Sequence, residues 1–207
     1  MTFKDWSLDR LNEAFNLNQI WESDLLNQWE NNTMEVTEFE KTVLLLLQKS
    51  LIRSSRNWNE VELENKFISP LIMMTGIDDE KINYFLERPL SSIIGDYELS
   101  GIVDGMIASG FREPKKPVFV CIVMSNIENQ GSPDVQVLAA MLVARELNQN
   151  KLPIYGLFVV GLDWYFMVLN GNDYCISRTF IADNDDIFTI FKMIKALKQI
   201  IYAELAL

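Results

Sequence analysis

The hydrophobic and polar positions change period twice along the chain. In the first third, apolar residues recur three and four apart. Ser7 is placed to cap a helix whose apolar face is Leu8, Leu11 and Phe15. A second short helix would align Trp21, Leu25 and Trp29. Thr37 and Glu40 form a capping box ahead of the run Val43 to Leu47. Asn59 and Glu62 repeat that signal before "EVELENKFISPLIMMTG", where Leu63, Phe67, Leu71 and Met74 keep helical spacing. Pro70 should bend this helix and Gly76 should stop it.

From residue 81 the period becomes two. "KINYFLERPL" reads as a strand, and Pro89 marks it as an edge or an end. "YELSGIVDGMIAS" and "PVFVCIVMSN" are the next two strands, joined by the turn-like "GFREPKKP". "GSPDVQVLAAMLVARELNQN" returns to helical spacing, with Ser132 as cap, Pro133 in the first position and Asp134 in the first turn. It is expected to pack through Val137, Ala140, Met141 and Ala144. Three more strands, "IYGLFVVG", "WYFMVLNG" and "YCISRTFI", precede a long C-terminal helix that starts in acids and carries lysines further on. The predicted order is α-β-β-β-α-β-β-β-α in one compact α/β domain. Residues 1–57 form a helical extension packed on a core of residues 58–207.

Composition narrows the chemistry. At 207 residues, 49% hydrophobic and 23% charged, the chain can bury a substantial core and is not a disordered one. No apolar run approaches the roughly 20 residues that span a bilayer, and "MTFKDWSLDR" lacks the apolar segment of a signal peptide. A cytoplasmic location and no membrane partner are the corresponding expectations. Cys121 and Cys175 sit in apolar strands and read as buried free thiols. There is no histidine, which removes Ser-His and Cys-His nucleophile systems and histidine metal centres. Hydrolysis would need carboxylates, lysine or a hard cation.

The net charge of −11 opposes autonomous gripping of a phosphate backbone. Weak nucleic-acid contact would fall to local bases: Arg53 and Arg56, Lys115 and Lys116, or the stripe Lys192, Lys195 and Lys198.

An acid-bearing helix, an Asp in "SGIVDGMIA", the strand "PVFVCIV" and the helix "GSPDVQVLAAMLVAREL" together resemble the PD-(D/E)xK nuclease superfamily. The likeness is greatest to the N-terminal nuclease domains of type I restriction subunits, and it spans roughly residues 58 to 180. It implies a restriction-endonuclease-like mixed β-sheet flanked by helices. It also implies Mg²⁺ held by a middle-strand Asp and a third-strand carboxylate, with a lysine two residues later beside the attacking water. Asp104 takes the Asp position, Gln136 the helix glutamine, and either Glu60 or Glu64 the first-helix acid.

The third strand departs from that pattern. Residues two apart on a strand share a face, and Val118, Val120, Ile122, Met124 and Asn126 would form one. The expected Glu and Lys therefore fall on Met124 and Asn126. A thioether is a poor ligand for Mg²⁺, and an amide carries no charge. Glu128, Glu113, Asp134, Lys115 and Lys116 are the nearest substitutes in sequence, with no spacing that assembles them.

Three functions follow as alternatives. One is a catalytically impaired nuclease-like binding module. Another is a working Mg²⁺-dependent endonuclease with rearranged ligands. The third is a structural or oligomerising domain. The bulk of Trp6, Phe15, Trp21, Leu25 and Trp29 also favours a homodimer through the N-terminal helices or an edge strand.

Overall fold

Each helix of the first third begins where a polar side chain can satisfy its free N–H groups. The computed structural model describes residues 1–125 and 132–205. Ser7 Oγ accepts from the Arg10 N–H at 3.3 Å and opens α1 (Leu8–Phe15). After the two-residue strand β1 (Asn18–Gln19) comes α2 (Asp24–Glu30), capped by Ser23. The Thr37–Glu40 capping box forms, with bonds of 3.2 and 2.8 Å, and starts α3 (Glu38–Ser54). The Asn59–Glu62 box forms as well, with bonds of 2.9 and 3.0 Å, and starts α4 (Glu60–Leu63).

Two expectations need correction here. Trp21 lies outside α2 and is 85% exposed; the buried pair is Leu26 and Trp29, three apart on the helix. The helix containing Pro70 does not simply bend. α4 passes through a π-helical turn, Glu64–Ile68, into α5 (Ser69–Met74). The Ser69 N–H bonds the Glu64 carbonyl five residues back. That wider turn makes room for a proline ring, which would otherwise clash with the carbonyl four residues before it. Gly76, at φ +65°, ends the segment as anticipated.

The remaining elements are β2 (Ile82–Ile94), β3 (Tyr97–Ser109), β4 (Lys115–Ser125), α6 (Pro133–Asn148), β5 (Ile154–Val160), β6 (Asp163–Asn170), β7 (Asp173–Ile176), β8 (Phe180–Ile181) and α7 (Asp186–Leu205). The strands form one open mixed sheet in the order β1-β7-β6-β5-β4-β3-β2, with β8 added to β6. β4 and β5 are parallel, as the α6 crossover requires; β1 and β7 are also parallel. The segment "YCISRTFI" is two strands rather than one, and β1 has no periodic signal in the sequence. β2 is the edge strand that Pro89 suggested, although it continues through the proline.

Helices cover both faces of the sheet. On one side α6 is buried from Val135 to Ala144, and its Ser132 hydroxyl makes no capping bond. Phe3, Trp6 and Leu11 join this core layer. On the other side, α7 and residues of α2 to α5 enclose Trp29, Trp164, Phe166 and Phe180. Among the described residues, no helix is long and apolar enough to cross a membrane.

Trp29 ties the N-terminal helices to α7. It is 1% exposed, stands edge-on to Tyr155 and Phe166, and its Nε1–H donates to the Met193 carbonyl at 2.7 Å. Trp29→Ala is expected to cost about 3–5 kcal/mol in urea unfolding. Trp29→Phe should lose about 0.5–1.5 kcal/mol, the net worth of one hydrogen bond, because the Met193 carbonyl keeps only its helical partner. A Trp29→Phe variant as stable as the parent would show that the hydrogen bond contributes nothing.

Candidate functional site

β3 and β4 pair antiparallel only as far as Gly105↔Ile122. Beyond that level β4 remains paired with β5 up to Ser125↔Val160, so the two strands fork. The Met124 N–H would be left without a ladder partner there. Asp104 supplies one: its Oδ2 accepts from Met124 N at 2.5 Å. The free edge of β3 beyond the fork is taken by the chain's first residues. The Ser100 N–H donates to the Met1 carbonyl at 3.1 Å. The Phe3 ring lies on Gly101 so closely that a Cβ there would fall 2.2 Å from the ring.

A cavity of about 460 Å³ opens at this fork. Asp104 and Met124 form part of its wall, with Glu60 from α4, Glu87 from β2, Gln136 from α6 and Lys4 from the N-terminal segment. Gln136, at 9% exposure, is one of three buried polar residues among the described residues. Glu87 has φ +51°, uncommon for a residue other than glycine in a strand. The flanking pairs Leu86↔Gly105 and Arg88↔Val103 leave it opposite Asp104.

These neighbours set the electrostatics. Burial pushes the Asp104 carboxyl up to about 6; the Met124 N–H and Lys4 oppose that rise, while Glu60 and Glu87 add to it. Glu64 is also raised, first by burial and then by Glu87, Asp104 and Glu60, although it is not part of the cavity wall. The fork is therefore an acidic recess with one nearby ammonium group.

Of the residues singled out from sequence, Asp104, Glu60, Gln136 and Met124 meet at this cavity, and Glu64 lies within its field. Asn126 and Glu128 lie outside the described residues. Glu113, Lys115 and Lys116 sit at or before the start of β4, roughly 30 Å of strand from Ser125. They cannot serve as substitutes. Asp134 is not in the wall either, and acts instead on Tyr174.

The supposed common face of β4 is also broken. Ile107 pairs with Val120 but Ala108 pairs with Val118, so Phe119 is a bulged residue. Val118 joins the α6 side of the sheet, whereas Val120, Ile122 and Met124 keep a shared face toward α7.

Glu87 and Lys4 were not identified from the sequence. "LERPL" looked like a strand ending at a proline, and nothing in that local pattern aligns Glu87 with an Asp on the next strand. Lys4 arrives only through the docking of residues 1–3 along β3.

The donor set does not suit a hard divalent cation, which favours several oxygen ligands. One Asp104 oxygen is engaged by a backbone N–H, and the position beside it presents a thioether. Among the described residues, no three Asp, Glu, Cys or His groups are close enough to hold a metal. The basic stripe on α7 is largely engaged too. Lys195 pairs with Glu40 at 2.7 Å and Lys198 with Asp79 at 3.0 Å. Burial raises Asp79, but the Lys81 and Ile82 N–H groups, Lys198 and Tyr202 outweigh it and hold the carboxyl well below its usual range. Cys121 and Cys175 are both buried and free, and burial pushes the Cys121 thiol up to about 12.

The raised Asp104 has a consequence for stability. Between the ordinary carboxylate value and about 6, the folded chain holds this proton more tightly than the unfolded chain does. Its contribution to stability therefore falls as pH rises through that window and stays lost above it. Asp104→Asn keeps an acceptor for Met124 and removes the titration. It is expected to be more stable than the parent by about 1–3 kcal/mol above the window. That difference should vanish below the window. Melting curves across the acidic and neutral range test this, and a variant less stable at neutral pH would contradict it.

No protein-family model matches the chain, and no curated protein matches it.

Proposed function

We propose that the chain is a catalytically impaired relative of the PD-(D/E)xK nucleases, a restriction-endonuclease-like scaffold that acts by binding rather than by cleaving phosphodiesters. The observation that carries this reading is the state of Asp104. At the strand fork, where the family's chemistry would sit, its carboxylate caps the backbone of Met124, and the β4 position beside it carries a thioether where the family has a second carboxylate. The convergence of Glu60, Asp104 and Gln136 on one cavity supports the scaffold half of the reading. Met124 and the absence of a three-ligand cluster among the described residues support the impaired half. An acidic recess also repels phosphate, so nucleic-acid contact in this reading is weak and lies outside the fork.

Neither Mg²⁺ nor Mn²⁺ is expected to raise the melting temperature or to produce nicking of plasmid DNA. Met124→Glu should place a second carboxylate beside Asp104. That variant is expected to melt lower than the parent in chelator and to regain stability when Mg²⁺ is added, since a ligand that binds only the native state stabilises it. Metal-dependent nicking by the parent chain, lost in Asp104→Ala, would replace this reading with the one below.

A rearranged active site is the second reading, and one observation favours it. Glu87 stands opposite Asp104, and Lys4 shares their cavity, so an acid and an ammonium group are present although neither comes from β4. In that case Mg²⁺ would be the cofactor, and both Glu87→Gln and Lys4→Ala would abolish cleavage.

The partner that this reading favours is a second copy of the chain. Trp6 and Trp29 are buried, which removes much of the aromatic bulk first considered for a dimer. Phe39, Leu45, Leu46 and Ile52 on α3 are instead exposed, Phe39 by 75%. Sedimentation at micromolar concentration should show a dimer that Leu46→Glu with Ile52→Glu converts to monomer. A parent chain that sediments as a monomer would remove the dimer.

A further inference from the structure

The cavity at the β3–β4 fork reaches from one face of the sheet to the other. Phe3 and Val123 in its wall belong to the core layer on the α6 side, whereas Met124 belongs to the layer on the α7 side. Two polar groups of this wall lack partners. Gln136 is only 9% exposed, yet its carboxamide makes no hydrogen bond among the described residues. Asp104 Oδ2 is engaged by the Met124 N–H, and Oδ1 has no partner among the described residues. Neither group is among the polar atoms sealed from solvent, such as Trp6 Nε1 and the Tyr84 hydroxyl, so a molecule in the cavity can reach both. A buried carboxamide with nothing to bond is costly, and a bound molecule would supply its partner.

The charges of the wall are separated across the fork. On the α6 side stands Lys4, in the 3₁₀ turn Phe3–Asp5 that packs against α6 and β3. The start of α6 at Pro133 is also in the wall. That 16-residue helix has no side-chain cap from Ser132, so the positive end of its dipole lies near the cavity. On the opposite side Glu60 comes from α4, whose Leu63 packs in the α7-side layer. Asp104 and Glu87 stand opposite each other on β3 and β2. Among the described residues, Lys4 forms no ion pair with any of these three acids. A simple cation would leave Lys4 and the helix terminus unanswered. A simple anion would meet three carboxylates. A molecule that carries both charges answers both ends.

We propose that the fork binds a small zwitterion of the amino-acid class, its ammonium group on Asp104 Oδ1 and toward Glu60, its carboxylate toward Lys4 and the Gln136 amide. This names the ligand of the binding reading given above and rests on that reading. The volume of about 460 Å³ is within the range of small-molecule sites. Ile102, Val123 and Met124 supply apolar surface for an aliphatic side chain or a methylene chain. Charge-assisted hydrogen bonds at both ends fix the orientation of the molecule as well as its affinity.

Calorimetric titration of the full chain, in chelator, with norvaline and with δ-aminovalerate tests the proposal. Pentylamine and pentanoate have the same carbon count and one charge each, and serve as comparisons. At least one amino acid should bind at one site per chain, about tenfold or more tighter than either singly charged compound. Lys4→Met should weaken the amino acid by about tenfold and should not weaken pentylamine. Glu60→Gln should weaken it similarly and should not weaken pentanoate. Both side chains are exposed, so neither change disturbs the core. Gln136→Met, of similar volume, should also weaken binding, and should raise the melting temperature of the free chain by removing the unpartnered amide. Failure of both amino acids to bind, equal or tighter binding of pentylamine or pentanoate, or undiminished binding in any of the three variants would overturn the proposal. Chelator excludes a contribution from metal. Metal-dependent nicking by the parent would therefore overturn the impaired-nuclease reading and leave these titrations as they stand. Absence of binding together with absence of nicking would overturn the proposal alone.

Discussion

The contact between Asp104 and the Met124 N–H closes the point at which the two halves of the sheet part. β4 must follow β5, because the α6 crossover holds those strands parallel, while β3 must follow its long hairpin with β2. The strands diverge between these demands, and a buried N–H is stranded at the point of separation. Leaving such a donor unsatisfied costs about 1–3 kcal/mol. A short acidic side chain on β3 is well placed to satisfy it. The same residue is then held in a low-dielectric recess near Glu60 and Glu87, which is why its carboxyl is raised rather than lowered. Asp104 therefore has a structural task independent of any chemistry, and an Asp at this position does not by itself imply a metal site.

The N-terminal residues answer a second demand of the same kind. α6 is apolar on nearly every side and cannot face solvent once one side is packed on the sheet. Phe3, Trp6 and Leu11 complete the layer around it, while Trp29 and α3 close the opposite face against α7. Residues 1–57 thus contribute to both cores. The close approach of Phe3 to Gly101 also fixes where Lys4 lies, so the ammonium group at the fork follows from a packing solution rather than from the local sequence around the cavity.

Several of the chain's basic groups are engaged by carboxylates or carbonyls of the fold. Lys195 and Lys198 pair with Glu40 and Asp79, Arg178 reaches Glu30 and Asp186, and Arg145 donates to the Gly171 carbonyl. Glu40 both closes the capping box of α3 and receives Lys195, so one carboxylate links helix initiation to interhelical packing. With these cations engaged in a chain of net charge −11, the fork around Asp104 keeps an acidic field.

The sequence by itself determined the order of the longer elements, the two capping boxes, the stop at Gly76 and the edge character of β2, but neither the short strand β1 nor the division of β7 from β8. The features it determined depend on interactions within a few residues, or on periods of two and 3.6 that a short window records. It also placed Asp104, Glu60, Gln136 and Met124 at corresponding positions of their elements, and the structure brings all four to one cavity. Only the tertiary structure decided that Glu87 and Lys4 join them, that Phe119 bulges and turns Val118 to the other face, and that Trp21 is exposed while Trp29 is buried. Strand register, bulges and the docking of a chain terminus depend on contacts between residues far apart in sequence. Their free energy is set by the shape of the assembled sheet and core, which no local pattern contains.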